Sequence, residues 1–271
     1  MSQPRAEVIG DPIAQSKSPL IHGFWLDALD IDARYDRAHV TSEDLPTYIA
    51  RSRDDPDWRG CNVTMPHKLA VMDLVDDPGG VRDGIGAMNT VLRQPDGGVI
   101  GTNTDAAGFA APIAGLDLAG RHVTVVGAGG AARAVLWALA RLDVARVTVM
   151  NRSPLKAAGL LSRFGLKGDV VPLDGPLPPT AALLVNAGAL GMTGQPPLLL
   201  DLSPLPEDAV VYDLVYSPLE TPLLAAARAR ELDTVDGLEM LIGQAAIAFE
   251  LFFGAQPPRE RDDELRKILL K

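Results

Sequence analysis

Short apolar segments alternate with helix-like patterns along the second half of the chain, and this alternation predicts an α/β fold. Strands that alternate with helices at this spacing are typical of a parallel, doubly wound sheet. A helix is predicted over 131–142, and one long helix over 238–253. The predicted strands of this half are at 122–126, 146–150, 181–185 and 209–214.

The first half of the chain combines strands, helices and one hairpin, and it therefore predicts a mixed sheet. A turn at Pro95–Gly98 joins its last two strands as a hairpin. Ser18 is the predicted N-cap of one helix, and Ser42 begins a second. Further helices are predicted to begin near His67 and at Thr104. The predicted strands are at 6–10, 33–40, 60–64, 88–93 and 99–102.

Length and charge limit the classes of partner. A chain of 271 residues, of which 47% are hydrophobic and 22% charged, fits about two globular domains. The formal net charge of −10 argues against a nucleic-acid or anionic-membrane partner, because both bind basic surfaces. A small anionic substrate is still compatible with this charge, since a local cationic pocket is enough to bind it.

The cysteine content and the first residues favour a cytoplasmic protein. Cys61 is the single cysteine, which excludes an intrachain disulfide, and we interpret it as a small buried hydrophobe and not as a nucleophile. Residues 1–10 have no signal-peptide pattern, and no apolar stretch reaches the ~18 residues that a membrane span needs. No His, Cys and Asp cluster has metal-ligand spacing, so we expect no metal.

A glycine-rich segment directly after a predicted strand predicts a dinucleotide site. In its pattern G-x-G-x-x-A, Gly127 permits a tight turn, Gly129 lets the backbone approach a pyrophosphate and Ala132 packs closely. The N-terminus of the following helix supplies free N–H groups for the pyrophosphate. Glycines in loops often have a purely conformational role, but the strand before and the helix after favour dinucleotide binding. The assigned residues are Gly127, Ala128, Gly129, Gly130 and Ala131.

The end of the next strand selects the cofactor. NAD sites usually have an acid there, which binds the ribose 2′-hydroxyl, but this chain has Asn151, Arg152 and Ser153. Arg152 and Lys156 can bind a 2′-phosphate, and Ser153 can donate a hydrogen bond to it. The next acid along the chain is Asp169. The sequence therefore predicts NADP, with a solvated helix start as the alternative interpretation.

Polar residues at predicted strand ends of the first half predict a substrate site. Their hydroxyls, amides, ammonium and carboxylate suit a small polyhydroxylated substrate. Lys68 and Asp105 can move a proton to and from a carbonyl oxygen during hydride transfer. Taken singly, each residue can instead cap a helix, fix a turn or lie in solvent. The residues are Ser16, Ser18, Asn62, Thr64, Lys68, Asn103 and Asp105.

Several motifs, in the same order along nearly the whole chain, resemble those of the shikimate dehydrogenases. Residues 10–19 with His22 are similar to the family's substrate loop. Residues 62–68 are similar to its N-V-T-x-P-x-K signature, and 151–156 to its NADP-selecting loop. The further matching blocks are 86–90, 101–109, 213–218, 221–223, and 237 with 240–244.

The resemblance implies a fold, a reaction and a catalytic pair. The implied fold is α/β, with an N-terminal mixed-sheet substrate domain over 1–105 and a Rossmann-like NADP domain over 106–237. C-terminal helices over 238–271 would return to the first domain. The implied reaction, by a monomer or homodimer, is reversible NADPH-dependent reduction of 3-dehydroshikimate to shikimate, a step of chorismate and aromatic amino acid biosynthesis. Lys68 and Asp105 would form the catalytic pair.

The resemblance also implies the binding residues. The nicotinamide would lie near Met192 and Gly237. The implied substrate ligands are Ser16, Ser18, Asn62, Thr64, Lys68, Asn89, Asp105, Tyr216 and Gln244. The implied cofactor ligands are residues 127–131, Asn151, Arg152, Ser153, Lys156, Met192, Leu214 and Gly237.

The sequence departs from the family pattern at several positions. Gln15 replaces a usual His, and Asp11 and Gly23 each replace a usual Asn, next to the substrate loop. Gly188 and Ala189 stand where the family usually has Thr and then Pro or Ser. Loss of the threonine hydroxyl predicts weaker binding of NADPH near the nicotinamide.

Three other functions are compatible with parts of this pattern. A quinate or aminoshikimate dehydrogenase would share most motifs, although retention of Ser16 and Ser18 favours shikimate. A non-catalytic protein that senses NADP or shikimate would keep the binding residues, but the intact Lys68 and Asp105 argue against it. The motifs of the first half argue against a reductase that shares only the nucleotide domain.

Overall fold

The computed structural model describes residues 3–270 and divides them into two compact units. One unit is formed by the chain up to Thr104 together with the segment from Ile242 onward, and the other by Asp105–Leu241. The resemblance predicted three segments, at 1–105, 106–237 and 238–271, and a function for each of them. These functions stay predictions.

The first unit contains a five-stranded mixed sheet, as the sequence predicted. Its strands are β1 (Arg5–Gly10), β2 (Arg34–His39), β3 (Trp58–Val63), β4 (Thr90–Arg93) and β5 (Val99–Thr102). Their spatial order is β2-β1-β3-β4-β5. β1 pairs in parallel with β2 and β3, whereas β4 pairs antiparallel with β3 and β5. The β4–β5 pair is the predicted hairpin, and the β3–β4 pair places Thr90 opposite Asn62.

The second unit contains a six-stranded sheet in which all pairs are parallel, which confirms the predicted doubly wound sheet. Its strands are β6 (His122–Val126), β7 (Arg146–Met150), β8 (Gly168–Val171), β9 (Ala181–Asn186), β10 (Val210–Asp213) and β11 (Asp233–Val235). Their order is β11-β10-β9-β6-β7-β8. The strand order reverses between β6 and β9, and ligands of such sheets bind at the carboxyl ends of the strands that flank this point.

Eight α-helices within residues 3–270 accompany the two sheets. They are α1 (Ser18–Ala28), α2 (Leu45–Arg53), α3 (Asp105–Ala110), α4 (Gly130–Leu139), α5 (Pro154–Arg163), α6 (Pro222–Ala229), α7 (Gly237–Phe253) and α8 (Asp262–Leu269). The predicted long helix near the C-terminus is α7. None of these helices combines the length and apolar character that crossing a membrane requires.

Two predicted helix starts in the first unit are wrong. α2 begins at Leu45 and not at Ser42, because Thr41 Oγ1 accepts the Asp44 N–H and holds the preceding residues in a turn. The segment at His67 is also a turn, and it leads into a short 3₁₀ helix at Ala70–Leu74. In both segments the backbone groups form hydrogen bonds within a turn. The helix therefore begins further along the chain than the pattern of polar residues predicted.

The core of the second unit explains which of its elements the sequence predicted. β6 and β9 are buried along almost their whole length; apolar side chains of one face pack against α3, α4 and α5, and those of the other face pack against α6. Phe109 of α3 stacks on Tyr212 of β10, with ring centroids 5.4 Å apart. The edge strands β8 and β11 have no buried residue, which is why no apolar run marked them in the sequence.

Candidate active site

The glycine-rich segment forms the predicted strand–turn–helix. β6 ends at Val126, Gly127 has a φ of +107°, and α4 begins at Gly130. A Cβ on Gly127 would lie 3.0 Å from the backbone nitrogen of Gly188, so this position excludes larger residues by both conformation and space. Ala132 is fully buried against the sheet. Gly129 is exposed at the N-terminus of α4, and its role in binding a pyrophosphate stays a prediction.

The predicted NADP-selecting residues follow β7. Asn151 is half-buried and donates from Nδ2 to Ser153 O at 3.0 Å, and Ser153 is the N-cap residue of α5. Arg152 and Lys156 are exposed, and both are available to an anionic group. A cavity of about 540 Å³ opens beside Asn151 and Arg152, with aliphatic side chains on its other side. A cationic rim and an apolar wall fit an adenosine with a 2′-phosphate.

A third part of the predicted cofactor site lies at the start of α7. A Cβ on Gly237 would lie 2.5 Å from Val215 O and 2.6 Å from Leu214 O. Because glycine has no Cβ, the start of α7 approaches the segment after β10 more closely than a residue with a side chain would allow. Met192 and Leu214 are half-buried. The glycine turn, the cationic rim and this close approach all fit a bound dinucleotide.

In the first unit, a buried hydrogen-bond chain joins predicted substrate residues, and it begins at Tyr35. Burial raises the pKa of Tyr35, so its phenol stays protonated and donates to Asn62 Oδ1 at 2.6 Å. The amide nitrogen of Asn62 consequently faces the other way and donates to Thr90 Oγ1 at 3.1 Å. Asn62 is 5% exposed and Thr90 fully buried. The orientation of the Asn62 amide is thus fixed from both sides.

The chain continues from Thr90 to Gln244. The Thr90 hydroxyl donates to Asn89 Oδ1 at 3.1 Å, and the same oxygen accepts the Thr104 N–H at 2.7 Å. Asn89 Nδ2 donates to Thr104 Oγ1 at 2.9 Å and to Gln244 Oε1 at 3.3 Å. Three predicted substrate residues, Asn62, Asn89 and Gln244, therefore share one network of oriented groups.

Ser16 and Ser18 form a separate hydroxyl pair on the substrate loop. Their Oγ atoms are 3.2 Å apart, both side chains are buried, and Arg37 donates from Nε and Nη2 to the carbonyl oxygen of Ser16. The prediction that Ser18 is the N-cap of α1 is wrong. Lys17 takes that position, because Ser16 Oγ accepts the Ser18 N–H and keeps the Ser18 hydroxyl in the serine pair.

Three further predicted residues lie in segments that follow strands of the first unit's sheet. Thr64 is half-buried, and a Cβ on Gly10 would lie 2.6 Å from its Cγ2. Lys68 is half-buried in the turn before the 3₁₀ helix, and its carbonyl oxygen accepts the Met88 N–H at 2.8 Å. Asp105 is 4% exposed and begins α3. The predicted pairing of Lys68 with Asp105 stays a prediction.

Three buried polar residues of the network were not predicted as site residues. Thr90 and Thr104 lie inside blocks that resemble the family, next to Asn89 and Asp105. Their position within these blocks was the signal that could have identified them as site residues. Tyr35 lies on the edge strand β2 and had no signal beyond its strand. Asn103, in contrast, donates from Nδ2 to Ala87 O at 2.8 Å, as the turn-fixing alternative expected.

Comparison with known proteins gives consistent results for the whole chain. Family models match at residues 8–91 (shikimate dehydrogenase substrate binding domain), 109–175 (shikimate/quinate 5-dehydrogenase) and 237–262 (shikimate 5′-dehydrogenase C-terminal domain). A shikimate dehydrogenase (NADP⁺) of Sphingopyxis alaskensis is 73% identical over 269 residues, which cover 99% of this chain and 98% of that protein. The chain belongs to the shikimate dehydrogenase family.

Solved structures of family members agree with the fold. The shikimate 5-dehydrogenase of Thermus thermophilus, in complex with NADP(H) and shikimate, is 38% identical with a TM-score of 0.85, covering 98% of this chain and 100% of that one. The quinate dehydrogenase of Corynebacterium glutamicum, in complex with NAD, is 32% identical with a TM-score of 0.88, covering 98% and 99%. The predicted fold, a mixed-sheet unit and a Rossmann-like unit, is confirmed.

Three departures from the family pattern can be described in the structure. Asp11, in place of the usual Asn, is hydrogen-bonded through Oδ1 to His39 Nε2 at 2.8 Å. At Gly188 a Cβ would lie 3.4 Å from Asn186 Oδ1, which is ordinary contact, so a Cβ still fits at this position. Gly23 has open space around its missing side chain. The departures therefore change polar groups without closing the site.

Other candidate chemistry belongs to the core. Cys61 is fully buried, and burial raises the pKa of its thiol, so the interpretation as a small buried residue fits. His22 is also fully buried, stacks on Tyr35 with centroids 3.8 Å apart, and burial lowers its pKa to about 3. Within residues 3–270, no group of three or more His, Cys, Asp or Glu side chains is arranged to hold a metal ion.

Proposed function

We propose that this protein catalyses the reversible, NADPH-dependent reduction of 3-dehydroshikimate to shikimate, as an oxidoreductase that acts on a CH–OH group. Family membership supports the reaction, and the 73% identical relative is named shikimate dehydrogenase (NADP⁺). The structural observation that carries the proposal is the buried network that orients Asn62, Asn89 and Gln244. Amides held in one orientation suit a ligand with several hydroxyls at fixed positions.

We propose that substrate is bound by the residues on this network and beside it. Ser16 and Ser18 would donate to a carboxylate, because the serine pair is buried next to Tyr35 and Arg37. The other proposed substrate ligands are Asn62, Thr64, Lys68, Asn89, Asp105, Tyr216 and Gln244.

NADPH supplies a hydride to the carbonyl carbon of the substrate when it is bound. Negative charge then develops on the carbonyl oxygen, and the Lys68 ammonium is proposed to stabilise that charge and donate the proton. Asp105 is proposed as the partner that orients Lys68 and a substrate hydroxyl. In the oxidation of shikimate the neutral Lys68 amine would take the proton back.

We propose that the chain holds the cofactor at three places. The backbone amides of residues 127–131 would bind the pyrophosphate at the start of α4. Asn151, Arg152, Ser153 and Lys156 would bind the 2′-phosphate, since no acid stands directly after β7 to accept a ribose hydroxyl. Met192, Leu214 and Gly237 would line the nicotinamide.

The roles of the segments and the setting are also proposals. Residues 1–105 would bind substrate, 106–237 would bind NADP, and 238–271 would complete the substrate domain. The net charge of −10 supports the absence of a nucleic-acid partner, and the buried single thiol is compatible with a reducing cytoplasm. A monomer or homodimer is proposed.

The first test is to mix the purified protein with shikimate and follow the absorbance of reduced nicotinamide, with NADP and then with NAD. Quinate replaces shikimate in a parallel series, because a quinate dehydrogenase that binds NAD has a similar structure. Turnover restricted to NADP and shikimate supports the proposal. Turnover mainly with quinate, aminoshikimate or NAD keeps the family and overturns the assigned specificity. Ligand binding without turnover would favour a non-catalytic sensing protein.

A further inference from the structure

Three polar side chains form a fully buried cluster at the carboxyl ends of β9 and β10. Asn186 ends β9, Asp213 ends β10, and Thr221 precedes α6. Asn186 Nδ2 donates to Asp213 Oδ1 at 2.8 Å, and Thr221 Oγ1 donates to Asp213 Oδ2 at 2.7 Å. The exposed fraction is 0% for Asn186 and Asp213 and 1% for Thr221. Asp213 and Thr221 lie in blocks that resemble the family, but none of the three residues was predicted as a site residue.

Asn186 holds the segment that follows β9. Its second amide hydrogen bonds Leu190 O at 3.0 Å, and its Oδ1 accepts the Gly188 N–H at 3.1 Å. One side chain thus fixes the backbone on both sides of Ala189, where the family's larger residues are replaced by Gly188 and Ala189. A glycine there increases the conformational entropy that the segment loses when it is held in one conformation. The hydrogen bonds from Asn186 therefore have to offset a larger entropic cost.

Asp213 holds the segment that follows β10. Its Oδ1 also accepts the Val215 N–H at 3.0 Å, so the carboxylate bonds three donors. Burial raises the pKa of Asp213, and the donors from Thr221, Val215 and Asn186 oppose that rise. Thr221 in turn caps α6, because its Oγ1 accepts the Leu224 N–H at 3.2 Å.

Backbone hydrogen bonds also join the two segments, one near each end. The Leu214 N–H donates to Asn186 O at 3.0 Å, and the Thr193 N–H donates to Ser217 O at 2.7 Å. Residues 186–193 and 213–218 are therefore joined at both ends by hydrogen bonds, with the buried cluster at one of them. These two segments carry Met192 and Leu214.

We propose that Asn186, Asp213 and Thr221 are positioning residues, which lock the two strand-end segments together so that Met192 and Leu214 are set for the nicotinamide half of NADPH. The proposal rests on the proposed cofactor role of those residues. The cluster is buried and acts through the backbone that it holds. Its loss is therefore expected to weaken cofactor binding, with a smaller effect on binding of shikimate.

The test compares Thr221→Val with Thr221→Ser. Valine keeps the shape but removes both the donor to Asp213 and the cap of α6, whereas serine keeps both bonds. We expect the Kd of NADPH, measured by nucleotide fluorescence, to rise about tenfold in Thr221→Val, the order expected for loss of a buried hydrogen bond. Thr221→Ser is expected to bind within about twofold of the parent protein.

A matched control separates positioning from general destabilisation. Thr148 of β7 is 1% exposed and bonds His122 Nε2 at 2.9 Å, so Thr148→Val removes one partly buried hydrogen bond in the same unit. Thermal unfolding is measured for each variant. If Thr148→Val raises the NADPH Kd as much as Thr221→Val does, the effect is general and the proposal is overturned.

Two further readouts decide the remaining cases. If Thr221→Val does not fold, Asp213→Asn replaces it, because an amide keeps one oxygen for Asn186 and Val215 but loses the acceptor for Thr221. Amide hydrogen exchange at Gly188 and Val215 is expected to quicken in these variants. Unchanged NADPH binding despite faster exchange refutes the positioning role. A parent protein that protects these amides but binds no NADPH refutes the proposed cofactor itself.

Discussion

Replacement of Thr90 by valine tests whether the buried network serves substrate binding. Thr90 Oγ1 accepts from Asn62 Nδ2 at 3.1 Å and donates to Asn89 Oδ1 at 3.1 Å. Valine has nearly the same shape, so the change removes these two bonds, a longer contact of 3.5 Å with Thr104 Oγ1, and little packing. Asn62 Nδ2 keeps only a 3.4 Å contact to Asn89 O, and Asn89 Oδ1 keeps the Thr104 N–H at 2.7 Å.

The magnitude follows from these remaining partners. A buried polar atom that loses its partner costs about 1–3 kcal/mol, and since both atoms keep one contact we expect about 2 kcal/mol in total. At about 2–4 °C per kcal/mol for a protein of this size, the Tm falls by roughly 4–8 °C. Each amide is then held by one hydrogen bond fewer, so the KM for shikimate is expected to rise about tenfold, equivalent to about 1.4 kcal/mol.

The assay measures Tm, the KM and kcat for shikimate, and the Kd of NADPH for Thr90→Val and Thr90→Ser. Serine keeps the hydroxyl and should restore KM to within about twofold. Thr124→Val is the control, because Thr124 is fully buried on β6 and its hydroxyl has no hydrogen-bond partner within residues 3–270. That change should leave the Tm unchanged or raise it. A Tm loss in Thr90→Val with an unchanged KM would refute the assigned role in substrate binding.

Four other predictions follow from single residues. Lys68→Met should lower kcat about 10²–10⁴-fold with little change in the Kd of NADPH, and a near-normal kcat would remove Lys68 from the mechanism. Gly237→Ala should weaken NADPH binding, because the new Cβ would lie 2.5 Å from Val215 O; fluorescence titration checks this, and parent-like affinity would contradict the close approach. Arg152→Asp should shift kcat/KM from NADP toward NAD, as steady-state kinetics with both cofactors will show, unless Arg152 is only a solvated residue. Burial lowers the pKa of His22 from 6.5 to about 3 in the folded protein. Below about pH 6.5 the unfolded chain therefore binds more protons than the folded one, and the free energy of unfolding decreases by about 1.4 kcal/mol for each unit by which the pH falls. Urea unfolding from pH 7 to pH 4 should show a smaller decrease of this free energy in His22→Phe than in the parent protein.

The sequence predicted the elements whose burial is encoded in short apolar runs. β6, β7, β9 and β10 were placed to within a residue or two, because each is buried within a parallel sheet and contains few polar residues. The edge strand β8 was not predicted, since it is exposed and its position depends on pairing with β7. Local side-chain bonding also decided details, as at α1, where Ser16 binds the Ser18 N–H.

The chemical identity of the candidate site was available from residues close together in sequence. The turn at Gly127 and the missing acid after β7 predicted a dinucleotide and its 2′-phosphate, because both depend on a strand, a turn and a helix that follow one another. The resemblance supplied the substrate residues and the reaction. The family and the fold are confirmed, whereas the assigned binding and catalytic residues stay predictions.

The tertiary structure decided which polar groups orient one another. Tyr35 and Asn62 are 27 residues apart, Asn89 and Gln244 are 155 apart, and Asn186 and Asp213 are 27 apart, yet each pair shares a buried hydrogen bond. Such bonds depend on strand order, register and burial, which no short segment specifies. The sequence by itself thus determined the fold class, the family and the residue types of the site, while the packing of distant strands determined the orientation of their side chains.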